Sequence, residues 1–139
     1  MATFTKFQPF VENLAEKAFN LGSDTLKVAL TNAAPNATDG TLSQITQISN
    51  GNGYTTGGTA TTISSSSQAS GTYKLVITDV TFTASGGSIG PFRYVVLYDD
   101  TATNDELIGY YDYGTNLTIT SGNSFTVDFD ASNGVLTIA

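Results

Sequence analysis

The chain contains no cysteine and no histidine, and these two absences exclude several kinds of chemistry. Without these residues a protein cannot build Ser-His-Asp or Cys-His nucleophiles, and it cannot use histidine to move protons. Zinc, haem and iron–sulfur sites also lose their usual ligands. Carboxylates, hydroxyls and amides remain, with few cationic groups. We therefore predict that the protein is not an enzyme and that it holds no cofactor and no metal.

Basic residues are scarce as well. Five Lys and Arg stand against twelve Asp and Glu, which gives a formal charge of −7. Nucleic-acid binding and attachment to an anionic membrane both need clustered Lys or Arg, and the sequence has no such cluster, so we expect neither kind of partner. No apolar run is long enough to cross a bilayer, and the first residues do not have the pattern of a signal peptide. We expect synthesis in a cytoplasm, where the chain stays unless it leaves inside a larger assembly.

The residues that are present favour β-structure. The 139 residues match one domain, and 40% of them are hydrophobic, including eight Phe and seven Tyr. Charged residues make up 12% of the chain, about half the usual share. Thr, Ser and Asn together supply about a third of it. Because Thr, Tyr, Phe, Val and Ile favour strands while Gly, Asn and Ser favour turns, the composition predicts a mainly β protein.

One helix is predicted, near the start of the chain. Apolar residues recur at steps of three and four across residues 9–21, with Pro9 suited to the first turn and Gly22 to the end. The striped face should pack against a sheet, so that residues 1–22 form an N-terminal arm and helix. The stripe consists of Phe7, Phe10, Leu14, Ala18 and Leu21.

From residue 24 onward the apolar period changes to two, which is typical of strands. Residues 59–67 are polar on both faces and predict an edge strand, whereas residues 92–98 are apolar on both faces and predict a central one. A change of phase at Thr78 and Asp79 predicts a bulge or bend. Residues 41–48 fit a helical turn or an extended arm equally well. Seven or eight short strands with regular turns predict one domain, 1–139, with an antiparallel β-sandwich of jelly-roll or immunoglobulin-like kind.

Few clusters of polar residues suggest a site. The acidic turn at residues 99–106 offers oxygens for calcium, but it lacks a recognised ligand spacing and is more typical of a solvated turn. Arg93, the single arginine, should pair with an acidic residue, either within the domain, which is the more ordinary arrangement, or across a subunit contact. Tyr54 lies in a glycine-rich loop at residues 50–58 and is the one aromatic residue there that could face a ligand.

Five segments carry a family resemblance: LGSDTLKVALTN (21–32), GNGYTTGG (51–58), FTASGGSIGPFRYVVLY (82–98), LIGYYDYG (107–114) and FTVDFDASNGVLTIA (125–139). Over nearly the whole chain the sequence resembles small virion structural proteins of tailed bacteriophages. The resemblance implies a β-sandwich subunit that binds other virion proteins, and it transfers no catalytic residue.

The expected function is therefore that of a capsid decoration, or cement, protein on the exterior of the virion. Its partners would be the phage major capsid protein and further copies of itself, with a trimer as the expected arrangement. Residues 2–21 or the loop region 33–67 would supply the contacts. The alternative is a tail-tip or fibre-associated module that binds a host-surface glycan. The candidate contact residues are Phe7, Phe10, Leu14, Tyr54 and Arg93.

Overall fold

The computed structural model describes residues 2–139, and this part of the chain contains ten strands, one α-helix and one 3₁₀ turn, joined by turns and loops. The helix is α1 (Gln8–Ala15), and the 3₁₀ turn spans Leu42–Gln44. The strands are β1 (Phe4–Lys6), β2 (Leu26–Thr31), β3 (Thr59–Ala60), β4 (Ile63–Ala69), β5 (Thr72–Ile77), β6 (Val80–Thr83), β7 (Ile89–Asp99), β8 (Leu107–Ile119), β9 (Ser124–Val127) and β10 (Leu136–Ile138).

The strands form an antiparallel β-sandwich, which confirms the predicted fold class. One layer is a five-stranded sheet in the order β1-β8-β7-β2-β3, and the other consists of a three-stranded sheet, β10-β5-β4, and the pair β6-β9. The main core lies between the layers, because alternate residues of the strands, such as Val28, Leu97 and Phe82, point inward. β7 lies between β8 and β2, as its continuous apolar run predicts.

A second apolar cluster covers the outer face of the five-stranded sheet. Val96 and Tyr98 of β7 alternate with the core-facing residues and therefore point to this face. Phe7 and Ile45 lie over them from outside the sheet. Of the two alternatives for residues 41–48, the helical turn is present, at Leu42–Gln44, and it holds Ile45 against the sheet. β7 is therefore buried on both faces.

The helix is shorter than the sequence predicts. The spacing predicts a helix over 9–21 that stops at Gly22, whereas α1 ends at Ala15. Lys17 adopts a φ of 71°, in the left-handed region where helices commonly end. Leu21 keeps the apolar spacing because it packs into the core from the turns that follow the helix, and periodicity alone cannot separate these two cases. No helix within residues 2–139 is long and apolar enough to span a membrane.

The N-terminal arm forms part of the five-stranded sheet. β1 pairs with β8 through Phe4, Thr5 and Lys6. The approach is so close that a Cβ atom at Gly109 would clash with the Phe4 ring and would lie 2.7 Å from the backbone oxygen of Thr5. Glycine at position 109 therefore permits β1 to dock.

Residues 59–67 do not form the single strand that the sequence predicts. β3 pairs with β2, while β4 pairs with β5 in the opposite layer, so the chain changes sheets between Ala60 and Ile63. The Thr61 hydroxyl donates to the backbone oxygen of Thr78 at 2.6 Å and holds this crossing in place. The polar sequence that indicates an edge is thus divided between two edges. The predicted change of phase at Thr78 and Asp79 is confirmed, since it separates β5 from β6.

Candidate interaction surfaces

Two of the predicted contact residues, Phe7 and Phe10, are core residues. Phe7 is completely buried, and its ring centroid lies 5.1 Å from that of Tyr110. Phe10 is 2% exposed and packs against Phe19 at the same centroid distance. A partner cannot reach either side chain in this fold, which corrects the expectation for both. Leu14 is half-buried and packs against the main core.

Tyr54 is also buried, although its loop is rich in glycine. It is 2% exposed, its hydroxyl donates to Gln47 Oε1 at 2.6 Å, and it accepts the Leu30 amide at 3.2 Å. Burial raises the pKa of this phenol, and the hydrogen bond from Leu30 opposes the shift. The ring fixes the loop against β2 and is not displayed to solvent. Tyr54 is therefore not a stacking platform for a sugar, which removes it from the glycan-binding alternative.

Arg93 pairs within the chain, the first of its two predicted arrangements. Its Nε and one terminal nitrogen donate to the two oxygens of Asp112 at 2.8 and 3.1 Å. The guanidinium carbon also lies 5.3 Å from the centroid of the Tyr94 ring. The hydrogen bond from Arg93 is the main cause of a lowered Asp112 pKa, and Gly114 adds a second one. Arg93 is thus held by its own strand neighbours.

β4 is an edge strand with one hydrogen-bonded neighbour and no charged residue. None of its seven residues is buried, and four of them are serines. The hairpin to β5 has a two-residue turn, Ser70 and Gly71, both with positive φ, the geometry of a type I′ turn. Ala69 and Thr72 flank this turn and form a hydrogen-bonded pair, and such pairs alternate along the ladder.

The alternation fixes which backbone groups of β4 point outward. Ser66 and Gln68 occupy the positions that do not bond to β5, so their N–H and C=O groups point to the open side. The position of Leu75, opposite Ser66, agrees with this register, because its oxygen accepts a bond from Val135 on the β10 side. Within residues 2–139 no backbone group other than those of β5 bonds to the backbone of residues 64–69. β4 therefore offers a short open ladder.

An aromatic pocket lies where β8 and β9 approach each other without sharing a sheet. Its volume is about 210 Å³. The rings of Tyr113 and Phe125 form two of its walls at 79° to each other, with centroids 5.4 Å apart. Tyr111 closes the inner side, its centroid 6.4 Å from that of Tyr113. The pocket is lined by Ala2, Tyr111, Tyr113, Phe125, Thr126 and Asp128.

A buried carboxyl pair lies beside a cavity with a volume of about 600 Å³. Asp99 is completely buried at the end of β7; its Oδ1 accepts the amides of Thr101 and Ala102, whereas Oδ2 meets no donor among the described groups. The Asp24 side chain, which lines the cavity, is within hydrogen-bonding reach of Asp99. Burial foremost, and then Asp24, raises the pKa of Asp99 to about 7. Protonation of Asp99, which the raised pKa favours, would let Oδ2 act as a hydrogen-bond donor.

The acidic turn of residues 99–106 is thus organised by hydrogen bonds within the chain. Asp99 binds two amides of the turn, and Glu106 accepts bonds from the backbone and side chain of Asn104 at 3.1 and 3.3 Å. Among residues 2–139 no group of three or more acidic side chains lies close enough together to hold a metal ion.

The sequence signals for the pocket are present but incomplete. The tyrosines near residues 110–113 can be recognised as amphipathic rings for a core or an interface, and the alternation at residues 125–129 turns Asp128 outward. The sequence does not show that Tyr113 and Phe125 are in contact. β8 and β9 belong to different sheets, so no strand pairing predicts this contact.

Comparison of the chain with models of known protein families, with curated proteins and with solved structures finds no match.

Proposed function

We propose that this chain is a structural protein of a tailed-phage virion, a decoration subunit that binds the exterior of the head shell. The observation that carries the proposal is the open ladder of β4. An exposed strand edge without charge can accept an extended segment of another protein through backbone hydrogen bonds. The family resemblance of the sequence supports the same class of function.

Strand addition suits a protein of this composition. The outward N–H and C=O groups of Ser66 and Gln68 supply donors and acceptors, and small serine side chains let a second backbone approach. Natural edges are often guarded by lysine or proline, and β4 contains neither. The occupant in this proposal is an extended segment of the major capsid protein, and neighbouring copies, with a trimer expected, would arrange around a lattice axis.

The charge of the chain supports an outer position. A formal charge of −7 opposes contact with packaged DNA, whose phosphates are also negative. A subunit that binds the assembled shell and not its unfolded components stabilises the shell by mass action. Attachment through backbone bonds should depend only weakly on salt, because few charges are available to be screened.

The decisive experiment mixes the purified protein with head particles that lack it. We expect saturable binding in hundreds of copies per particle and a higher temperature of rupture on heating. Equal rupture with and without the protein would contradict decoration. A copy number of a handful per virion would favour a tail component instead.

A matched pair of variants tests the edge. Gln68→Pro removes an outward N–H without removing a bond to β5, whereas Gln68→Ala keeps that N–H, and both lose the bond from Gly71 to the Gln68 side chain. We expect Gln68→Pro to weaken binding to particles by at least about tenfold relative to Gln68→Ala. Equal binding of two variants with equal melting temperatures would exclude β4 as the contact.

The glycan-binding alternative depends on an accessible aromatic surface. Tyr54 does not provide one, so the pocket at Tyr113 and Phe125 is the other place where a sugar ring could stack. The copy number separates this alternative from decoration. Titration of the pocket with a sugar tests this alternative directly.

A further inference from the structure

The aromatic pocket has an unusual balance of groups. Its walls are three aromatic rings, and the carboxylate of Asp128 lies at its rim. Within residues 2–139 no Lys or Arg lines the pocket, and Asp128 makes no ion pair and accepts no hydrogen bond. The faces of aromatic rings carry partial negative charge and attract cations, and the carboxylate of Asp128 does the same.

The two tyrosines remain neutral phenols in this environment. Burial foremost raises the pKa of Tyr111 to about 12, and Tyr113 contributes to that shift. Burial also raises the pKa of Tyr113. Asp128 lines the same pocket as both rings, and its charge contributes to both shifts. A group that enters between the rings therefore meets neutral aromatic surface and one negative charge.

The shape selects the kind of cation. The right-angled corner of Tyr113 and Phe125 lets one group contact a ring face and a neighbouring ring at once. A volume of about 210 Å³ accommodates the end of a long side chain but not a large ligand. A hydrated metal ion gains little here, because the pocket offers one carboxylate and mostly apolar surface.

We propose that this pocket binds an organic cation, the ammonium end of a lysine side chain from a partner protein, with Tyr113 and Phe125 as the cage and Asp128 as the counter-ion. The preference for a cation is inferred from the residues that line the pocket and does not depend on the proposed function. The identification of the partner as the capsid protein rests on the proposed function. On the virion such an anchor would hold a partner at β8 and β9, in addition to strand pairing at β4.

The test is an NMR titration of the ¹³C-labelled aromatic rings of the full chain with two capped amino acids. N-acetyl-lysine methylamide carries the ammonium group, and N-acetyl-norleucine methylamide has a similar chain without it. We expect saturable shifts at Tyr113 and Phe125 with the lysine compound only, with a Kd of roughly 10 to 100 mM for a single anchor. Equal shifts with norleucine, or no shifts with lysine, would overturn the proposal.

A sugar is the competing occupant, and the same titration tests it with N-acetylglucosamine. Saturable shifts at the two rings with this neutral compound and none with lysine would overturn the cation proposal and favour a glycan pocket. Neither result bears on whether the protein decorates heads, because particle binding and copy number are measured separately.

Variants distinguish the contribution of the Asp128 charge to lysine binding from that of the aromatic rings. Asp128→Asn keeps the shape of an exposed side chain and removes its charge, and Glu16→Gln removes one charge from an exposed residue outside the pocket. We expect Asp128→Asn to weaken lysine binding by about three- to tenfold and Glu16→Gln to leave it unchanged. Equal weakening by both variants would mean that only the overall negative charge attracts the probe, and it would contradict a specific counter-ion.

Tyr113→Leu tests the ring itself. We expect lysine-dependent shifts at Phe125 to disappear while the melting transition stays cooperative, since Tyr113 is half-buried at the surface. Retained binding in a folded Tyr113→Leu protein would overturn the aromatic cage. Because Asp128→Asn alters an exposed side chain, it keeps the proposal testable if Tyr113→Leu does not fold.

Discussion

β7 and β4 lie in opposite layers of one sandwich and have opposite surroundings. β7 has a strand on each side, and every residue from Tyr94 to Asp99 is buried. β4 has one neighbour and no buried residue. β7 contains two charged residues, Arg93 and Asp99, and β4 contains none, so charge does not mark the edge strand here. Side-chain size and polarity do, because β7 carries large apolar and aromatic side chains and β4 carries serines.

The difference indicates that β7 mainly stabilises the fold, whereas β4 is available for association with another protein. Apolar side chains on both faces of β7 contribute buried area, the main favourable term in folding. The serines of β4 bury little area and leave backbone groups unpaired, which adds little stability but leaves an edge available. Changes in β7 should therefore affect folding, while changes in β4 should affect association.

The largest expected effect comes from truncation in the central strand. Leu97 is 2% exposed, and Leu97→Ala should lower the free energy of unfolding by about 2–5 kcal/mol through lost burial and the cavity that remains. Ser67→Ala in β4 should change it by no more than about 0.5 kcal/mol. Urea denaturation of both variants measures the contrast. Similar losses at the two sites would mean that β4 contributes to the core after all.

The next effect concerns the carboxyl pair at the end of β7. Since the folded chain holds the Asp99 proton up to about pH 7 and an unfolded aspartate releases it near pH 4, the unfolded state binds fewer protons between these values. The contribution of Asp99 to the free energy of unfolding is therefore fully present below about pH 4, falls as the pH rises and levels off above pH 7. The total loss is at most about 4 kcal/mol. Urea denaturation between pH 5 and pH 8 measures the slope.

Asp99→Asn is the variant that isolates this pair. An amide at position 99 can donate to Asp24 without a shared proton, so the slope should flatten and the stability above pH 7 should rise. Asp105, whose pKa burial also raises, remains in the variant and gives a smaller slope of the same sign. An unchanged slope in Asp99→Asn would assign the pH dependence to groups other than the pair.

Much of the fold follows from local sequence patterns. The run at residues 92–98 predicts the centre of a sheet and the polar run at residues 59–67 predicts an edge, because each pattern reflects which faces of a strand meet water. The helix boundary does not follow, since Leu21 continues the apolar spacing after the backbone has left the helix at Lys17. The change of sheets within residues 59–67 has no periodic signal either, because both segments are polar.

The candidate sites follow from the sequence much less well. Large aromatic side chains near chain turns suit a core and a surface equally, and burial of Phe7, Phe10 and Tyr54 is decided by long-range packing. The pocket and the carboxyl pair both depend on contacts between different segments of the chain. Tyr113 contacts Phe125 between two sheets, and Asp24 lies near Asp99 where β2 begins and β7 ends.

A smaller effect is expected at the edge of the five-stranded sheet that β1 forms. Gly109→Ala should displace β1, because its Cβ atom would meet the Phe4 ring and the backbone of Thr5. The added methyl should cost about 1–3 kcal/mol and should increase hydrogen exchange and proteolysis around Lys6. Gly40→Ala is the control, since its Cβ would make only ordinary contacts with Pro9, at 3.5 Å. Equal protection of residues 4–6 in both variants would show that β1 tolerates the methyl.

The smallest effect is expected at the exposed pair of Arg93 and Asp112, which joins β7 to β8 on the solvent side. Because solvent screens the pair, Arg93→Ala should leave the melting temperature nearly unchanged. The Asp112 pKa should nevertheless rise toward its ordinary value, because the hydrogen bond from Arg93 is the largest cause of its lowering. An NMR titration of the Asp112 carboxyl carbon measures this shift.

Asp112→Ala should lower the melting temperature more than Arg93→Ala does, since Asp112 also accepts the Gly114 amide at 2.7 Å. If Arg93→Ala instead weakened attachment to head particles while the Asp112 pKa stayed low, the arginine would belong to a contact between subunits and not to its own sheet.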